Sequence, residues 1–164
     1  MILELFFKIK HPGEAVPYYY KRTLFGEFKH LLRKFICQNV APNCVTTFMR
    51  VNLYRMCGFK IGKGTFIGMK CYFDDVCVDK LEIGDNVIVS YGVYFACHGR
   101  KQRHNKIVIQ NGAYIGMRAC IIARQDICIG NDAVIGAMAL VNKSIPSGVT
   151  AVGVPCKIIS ISNE

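Results

Sequence analysis

The sequence predicts a mainly β fold, in which a parallel solenoid of about four coils follows a short helical segment. Three observations predict it. From residue 59 onward a large apolar residue recurs every six positions, Gly directly follows it in half of the cases, and the repeats fall into groups of three. A period of six fits neither an α-helix, with its 3.6 residues per turn, nor a strand, whose side chains alternate. Short strands joined by sharp bends do fit this period.

The repeat predicts the core of the solenoid. Three strands and three bends close a triangular coil, and stacked coils pair through backbone hydrogen bonds at about 4.8 Å per layer. The apolar side chains would then fill a dry central column. We expect the glycines to supply positive φ angles at the bends. The twelve predicted inward positions are Ile61, Ile67, Phe73, Ile83, Val89, Phe95, Ile109, Ile115, Ile121, Ile129, Ile135 and Val141.

One interruption of the repeat predicts the site. The groups of three open at Phe59, Leu81, Ile107 and Ile127, so their starts lie 22, 26 and 20 residues apart. Three six-residue units need only 18 residues, and the largest excess therefore belongs to the second coil, between Phe95 and Ile107. An extended loop leaving a regular scaffold is a common place for function.

The N-terminal third is helical in pattern. Residues 21–39 predict an amphipathic helix, residues 44–56 a second one, and Gly58 a stop signal. We therefore expect three parts: a helical segment over 1–58, the β-helix over 59–158 and a tail over 159–164.

The charge of the chain is uneven. Residues 1–60 carry a net charge of +7 and residues 61–164 a net charge of +3. A basic surface of this kind suits an anionic membrane or nucleic acid, and it is equally typical of solvated helix faces. The first residues lack a basic leader region, and no apolar run approaches the ~20 residues of a membrane span. We expect a cytoplasmic protein without nucleic acid, and leave open a peripheral contact with the inner membrane face.

Cysteine and histidine usage argues against a metal or disulfide framework. The nine cysteines are odd in number and form no C-x-x-C pair, which predicts free thiols in a reducing compartment. His11 and His30 lie outside the repeats, and no His follows His104. No zinc ligand set is visible in this pattern, so we expect no metal.

Two segments carry a resemblance to a known family. They are Ile61-Gly62-Lys63-Gly64-Thr65-Phe66-Ile67-Gly68 and Ile129-Gly130-Asn131-Asp132-Ala133-Val134-Ile135-Gly136. Residues 59–158 resemble the hexapeptide-repeat acyltransferases, above all the maltose, galactoside and polysaccharide O-acetyltransferases. The resemblance implies a left-handed β-helix, a homotrimer and acetyl-CoA as co-substrate. It also implies transfer of an acetyl group to a hydroxyl of a small-molecule or lipid-linked sugar.

The resemblance also implies roles for particular residues. Similar enzymes carry a catalytic His at the start of the extended loop, which here is His98, and a neutral imidazole can take the proton of an attacking hydroxyl. His104, deeper in the loop, is the alternative. Related enzymes carry acidic residues one coil earlier, so Asp75 and Asp79 are candidates for acceptor binding, although Asp is also common at bends for its own sake.

Coenzyme A contacts are expected on the last two coils. The backbone N–H groups of Met117 and Ala137 match the family's pantetheine contacts, and that of Met117 is a candidate for holding the oxyanion. Lys143 and Lys157 are candidates for the phosphates. Lys157 stands in the closing motif Gly153-Val154-Pro155-Cys156-Lys157, which matches the family's ending.

Two other functions stay open. A serine acetyltransferase would have the same scaffold, but that family brings a helical N-terminal domain larger than residues 1–58. A non-catalytic trimeric scaffold would keep the coils and lose the chemistry. His98, the extended loop and the closing motif all argue against the scaffold.

Overall fold

The computed structural model describes residues 2–16, 24–99 and 104–161, which form two compact units. The first unit, residues 1–35, contains helix α1 (Ile2–Lys10) and helix α2 (Leu24–Phe35). Helix α1 was not predicted from the sequence. Helix α2 lies within the predicted helix over 21–39, whose residues 21–23 fall outside the described part of the chain. None of the described helices is long and apolar enough to cross a bilayer.

The second unit, residues 36–164, opens with helical turns before the coils begin. A π-helical turn (Ile36–Val40) and a 3-10 turn (Ala41–Asn43) lead into helix α3 (Thr47–Met56). Thr46 caps α3 by accepting a hydrogen bond from the backbone N–H of Met49 at 3.4 Å. Gly58, with φ of +104°, lies just beyond α3, where the stop signal was predicted. The predicted boundary at 58/59 marks the start of the coils, whereas compactness divides the chain between residues 35 and 36.

Helix α3 belongs with the coils because it covers their open end. The first coil has no coil above it, so its outer carbonyl groups need other donors. The buried Arg50 donates from Nε to the carbonyl of Ile67 at 2.7 Å, and the Tyr54 hydroxyl donates to the carbonyl of Cys71 at 3.1 Å. The Tyr54 ring also stacks on Phe73, with ring centroids 4.1 Å apart. These contacts close the hydrophobic column at its N-terminal end.

The coils form a triangular prism with three parallel sheets, which confirms the predicted solenoid of about four turns. Sheet A joins the first strand of each coil, sheet B the second and sheet C the third. The family resemblance implies that these coils wind left-handed. The coil strands are β1 (Lys60–Ile61), β2 (Phe66–Ile67) and β3 (Tyr72–Phe73); β4 (Leu81–Ile83), β5 (Ile88–Val89) and β6 (Tyr94–Ala96); β7 (Ile107–Ile109), β8 (Tyr114–Ile115) and β9 (Cys120–Ile122); β10 (Ile127–Ile129), β11 (Val134–Ile135) and β12 (Leu140–Val141).

Two further strands end the described chain. Strand β13 (Val149–Val152) adds to sheet B in parallel beside β11, and β14 (Lys157–Ile161) turns back antiparallel to β13. The turn between them holds the predicted closing motif.

The predicted column is confirmed. Eleven of the twelve repeat positions are buried, and the twelfth, Ile61, is half-buried on the first coil. The small side chains four residues further on, such as Ala113 and Ala133, are also buried, because they sit where neighbouring walls of the triangle meet.

The expected role of the repeat glycines was wrong. None of the six has positive φ; the positive values fall two residues later, as at Lys70, Arg118 and Met138. The glycines are required by close approach between coils instead. A Cβ on Gly116 would lie 2.5 Å from the backbone nitrogen of Ala137, and one on Gly68 would lie 2.6 Å from the carbonyl carbon of Ser90. These bends therefore need a glycine directly after the column residue and a residue with positive φ two positions after that glycine.

Replacing one column residue by a charge tests the repeat phase. Ile115→Asp is expected to cost at least about 4 kcal/mol of unfolding free energy, because it removes a buried aliphatic group and leaves a carboxylate unpaired in an apolar column. Ile122→Asp is the control, since Ile122 is only half-buried, on the outer face of β9. Thermal unfolding followed by circular dichroism measures both. Equal melting temperatures for the two variants would refute the assigned phase.

Candidate active site

The third corner of the triangle, between sheet C and the next coil, differs from the other two. At the first and second corners the third residue after the column position has positive φ, in every coil. At the third corner the corresponding residues Val76, His98, Arg124 and Ser144 do not. The residues in excess of three six-residue units leave the coils at this corner. Because Phe73 pairs with Phe95 in adjacent coils, the segments that follow β3 and β6 lie side by side there.

A histidine and a carboxylate meet at this corner. His98 Nδ1 lies 2.5 Å from Asp74 Oδ2, and the same oxygen accepts hydrogen bonds from the backbone N–H groups of Cys97 (2.9 Å) and His98 (3.1 Å). Asp74 Oδ1 accepts from the backbone N–H of Val76 at 3.2 Å. Asp74 is fully buried, while the His98 side chain is 44% exposed. These donors compensate the buried carboxylate and hold the imidazole in one orientation.

This pair has the arrangement of an oriented general base. When Nδ1–H donates to a carboxylate, the other ring nitrogen, Nε2, keeps its lone pair for a proton. The buried negative charge also stabilises the imidazolium that forms on proton uptake. The site can therefore remove a proton from a weakly acidic hydroxyl that approaches the exposed edge of His98.

Comparison with known proteins finds acetyltransferases among the relatives of this chain. The chain is 32% identical to the galactoside O-acetyltransferase of Escherichia coli K12 over 120 residues, which cover 65% of this chain and 58% of that protein. It is 36% identical to a serine acetyltransferase of Helicobacter pylori J99 over 105 residues, which cover 63% and 58%. The chain thus spans about three-fifths of the length of these relatives. No protein-family profile matches it.

A solved structure supports the same fold. A hexapeptide-repeat acetyltransferase from Vibrio cholerae, complexed with acetyl-CoA, superposes with a TM-score of 0.71 at 20% identity, covering 98% of this chain and 99% of that one. The relatives and structural neighbours of this chain are hexapeptide-repeat acetyltransferases. The resemblance noted in the sequence is thereby confirmed.

The residue that contacts His98 is Asp74, whereas the sequence predicted Asp75 and Asp79 as the acidic residues of the site. Asp75 is buried and accepts a hydrogen bond from Gln38 Nε2 at 2.9 Å, and Asp79 is largely exposed and pairs with Lys80 at 3.4 Å. Counting along the coils does not single out Asp74, because the register that pairs Phe73 with Phe95 sets Val76 opposite His98.

Two cysteines beside the pair lie in surroundings that favour the thiol over the thiolate. Burial raises the pKa of Cys77 to about 12, and the carboxylate of Asp74 adds to this increase. Burial and the same carboxylate raise the pKa of Cys97, also to about 12. Both thiols are therefore protonated near neutral pH, whereas a nucleophilic cysteine reacts as the thiolate.

The stem of the extended loop holds His98 in place. His98 and His104 form an antiparallel bridge, and the backbone N–H of Asn105 donates to the carbonyl of Cys97 at 2.8 Å. Asn105 Nδ2 donates to Ala123 of the next coil at 2.8 Å. Residues 100–103 of the loop lie outside the described part of the chain. His104 is exposed and has no carboxylate partner among the described residues, which favours His98 as the base.

The residues predicted to contact coenzyme A lie elsewhere on the prism. Met117 and Ala137 are exposed, stacked neighbours at the second corner, and their backbone N–H groups donate no hydrogen bond within the described residues. Lys143 and Lys157 are exposed on the last coil and at the start of β14. A shallow pocket on the outer face of sheet A, bordered by Lys60, includes none of these residues. Within one chain, His98 therefore lies at the third corner, whereas Met117 and Ala137 lie at the second.

Proposed function

We propose that this protein is an acetyl-CoA-dependent O-acetyltransferase that acetylates a sugar hydroxyl, with His98 as general base and Asp74 as its positioning residue. The 2.5 Å contact between His98 and the buried carboxylate carries the proposal. His98 Nε2 takes the hydroxyl proton as the oxygen attacks the thioester carbonyl. The C–O bond forms, the C–S bond breaks, and the proton leaves with the coenzyme A thiol. The protonated cysteines argue for direct transfer without a covalent acyl-enzyme.

Coenzyme A binding is proposed at the second corner. The unused N–H groups of Met117 and Ala137 suit the amide carbonyls of a pantetheine arm, and the Met117 N–H suits a developing oxyanion. Lys143 and Lys157 are exposed cations that suit its phosphates. The acetyl-CoA complex of a structural neighbour supports the co-substrate.

A sugar acceptor is favoured by an aromatic surface near the base. Tyr72 and Tyr94 stack on the outer face of sheet C, with ring centroids 4.2 Å apart and planes within 7°. Burial raises the pKa of Tyr72, and the charges of Tyr94, Asp74 and Asp75 raise it further, so the hydroxyl stays protonated as a donor beside these carboxylates. Each ring covers one face of the other, so the pair offers an acceptor its ring edges and hydroxyl groups, which suit hydrogen bonds with sugar hydroxyls. Asp75 and Asp79 remain proposed acceptor contacts.

Thiol release from acetyl-CoA tests this function. Purified protein is assayed with a panel of galactosides, maltose, amino sugars and serine. We expect release that depends on a sugar acceptor. Release with serine alone would favour the alternative suggested by the serine acetyltransferase relatives. Coenzyme A binding without release on any acceptor would favour a non-catalytic scaffold.

We also propose a homotrimer. The outer positions of sheet B form an apolar row in register, Phe66, Ile88 and Tyr114, each 40% to 44% exposed. Sheet A instead carries the ion pairs of Glu82 with Lys60 (2.7 Å) and Lys106 (2.8 Å). An apolar stripe suits burial against another subunit, whereas a charged face suits water. A trimer would also allow the second corner of one subunit to face the third corner of its neighbour.

Light scattering tests the oligomer. Wild-type protein is expected at three times the 18.4 kDa chain mass at micromolar concentration. Ile88→Glu should lower that mass, because it puts a charge into the apolar row, while Val108→Glu on sheet A should leave it unchanged. A monomeric wild-type mass would refute the trimer and, with it, a site shared between subunits.

We also propose that helix α2 makes a peripheral membrane contact. Phe25, Phe28, Leu31, Leu32 and Phe35 of helix α2 are each at least 49% exposed, and Lys29 and Lys34 are exposed on the same helix. A basic amphipathic helix of this type suits the surface of an anionic bilayer. Free thiols and acetyl-CoA use fit the reducing cytoplasm, so the inner membrane face is the surface in question.

Co-sedimentation with anionic liposomes tests this contact. We expect binding at low salt that weakens at physiological salt, because each basic residue contributes about 1 kcal/mol near such a surface. The double variant Lys29→Glu, Lys34→Glu should lose it, and neutral liposomes should bind little of the wild type. Absence of wild-type binding at both salt concentrations would refute the membrane contact.

A further inference from the structure

We propose that Asp74, Cys77 and His98 form a binding site for Zn²⁺, through which the metal reversibly inhibits the enzyme. One carboxylate oxygen, one thiol sulfur and one imidazole nitrogen lie within 4.8 Å of one another at this corner. Inhibition rests on the proposed function of His98, whereas metal binding does not. The spacing of cysteines and histidines did not predict this site, because only one of its three ligands is a histidine and only one is a cysteine.

The backbone brings the three ligands together without a metal. Asp74 and Cys77 belong to one turn, in which the backbone N–H of Cys77 donates to the carbonyl of Asp74 at 3.3 Å. The backbone N–H of Val76 donates to Asp74 Oδ1 at 3.2 Å and tightens that turn. His98 comes from the adjacent coil and is held by its own backbone hydrogen bond to Asp74 Oδ2. Only side chains would have to move on binding.

The distances and ligand types suit zinc. With Zn–S bonds of about 2.3 Å and Zn–N or Zn–O bonds of about 2.0–2.2 Å, tetrahedral ligands stand roughly 3.3–3.7 Å apart. The 2.5 Å contact between His98 and Asp74 would therefore widen, and the Cys77 sulfur would move inward. A set of thiolate, imidazole and carboxylate favours Zn²⁺ over Mg²⁺ or Ca²⁺, which prefer oxygen ligands alone.

The burial pattern leaves one coordination position open. Asp74 and Cys77 are buried, and the His98 side chain is 44% exposed, so the metal would enter from the His98 side. Three protein ligands with an outward fourth position resemble zinc sites that keep a water molecule rather than closed structural sites. Because this position faces solvent, a chelator can reach the metal and remove it.

Coordination would block the proposed base. Zinc bound at His98 Nδ1 replaces the hydrogen bond to Asp74, and the ring proton then resides on Nε2. The Cys77 thiol gives up its proton to solvent as sulfur becomes a ligand. With Nε2 protonated, His98 has no lone pair for the acceptor hydroxyl.

Two measurements test the site. Zinc binding is followed by competition with a chromogenic chelator, and inhibition by thiol release, each variant being compared with its own zinc-free rate. We expect Cys77→Ser to raise the zinc concentration for half-inhibition by at least about tenfold, since even outer contacts of metal sites are worth 10–100-fold in affinity. Cys120→Ser, at a half-buried cysteine on β9 of the next coil, should behave as wild type. Mg²⁺ should not inhibit, and excess chelator should restore the rate.

The binding measurement stands without the enzyme assay. Wild-type protein should bind one tight equivalent of Zn²⁺, and Cys77→Ser should lose it. His98→Ala should lose it too, and because this side chain is partly exposed, its removal should leave the fold intact. Retention of that equivalent by either variant would overturn the proposal and place the metal elsewhere. If the equivalent is lost but no acetyl transfer is found with any acceptor, the zinc site holds and the proposed function fails.

Discussion

His98→Ala is expected to lower kcat by roughly 10²–10⁴-fold, the usual contribution of a general base. The side chain is partly exposed and contributes little to the column, so the fold and the affinity for coenzyme A should be unchanged. Turnover is measured by thiol release at saturating acetyl-CoA, with circular dichroism as a check on folding.

His104→Ala is the matched control for that experiment. Both histidines stand on the stem of the same loop and bridge one another, but only His98 contacts Asp74. His104→Ala should change kcat by no more than a few fold. If His104→Ala abolished turnover and His98→Ala did not, the base would be misassigned.

Asp74→Asn is expected to lower kcat by up to about 10⁴-fold, the loss seen when the carboxylate that orients a catalytic histidine is neutralised in a serine protease. The substitution keeps the shape of the side chain but removes the charge that stabilises the imidazolium. In the wild type, the backbone N–H groups around Asp74 donate to its two carboxylate oxygens. The variant replaces one of these oxygens by an amide N–H₂, which cannot accept, so the imidazole loses its fixed orientation.

The split between kcat and KM distinguishes positioning from general damage. Asp74→Asn should lower kcat and leave the KM for acetyl-CoA unchanged, because Asp74 lies at the third corner and the proposed coenzyme contacts lie at the second. Asp75→Asn is the control, since Asp75 is also buried but accepts its hydrogen bond from Gln38. We expect it to alter the KM for the acceptor more than kcat. Equal losses of kcat in the two variants would argue against a specific role for Asp74.

The fold was predictable because a solenoid repeats one short unit, so the same spacings recur along the chain. The six-residue spacing of Ile109, Ile115 and Ile121 marks the three walls of one coil, and each of these residues meets its counterpart in the next coil. The reason for the repeat glycines was not predictable, because it depends on how closely one coil approaches the next, as at Gly116. Helix α1 has no such repeat. Its short apolar sequence excludes a membrane span but does not by itself predict a helix.

The site was predictable in part. The excess length of the second coil and the resemblance together pointed to His98. Asp74 was not predicted, because the choice between Asp74 and Asp75 depends on which carboxylate faces the next coil. The third corner lacks the regular turn that fixes side-chain directions at the other two corners. The grouping of Cys77 with this pair depends on a turn that brings together residues three apart, and the cysteine pattern alone gives no sign of it.

Direct transfer of an acetyl group to a hydroxyl, with His98 as the base, can be tested by measuring initial rates of thiol release while acetyl-CoA and acceptor are both varied. We predict acceptor-dependent release with intersecting double-reciprocal lines, as for a ternary complex, and near-complete loss of that release in His98→Ala. Parallel lines, or thiol release that persists in His98→Ala at the wild-type rate, would contradict it.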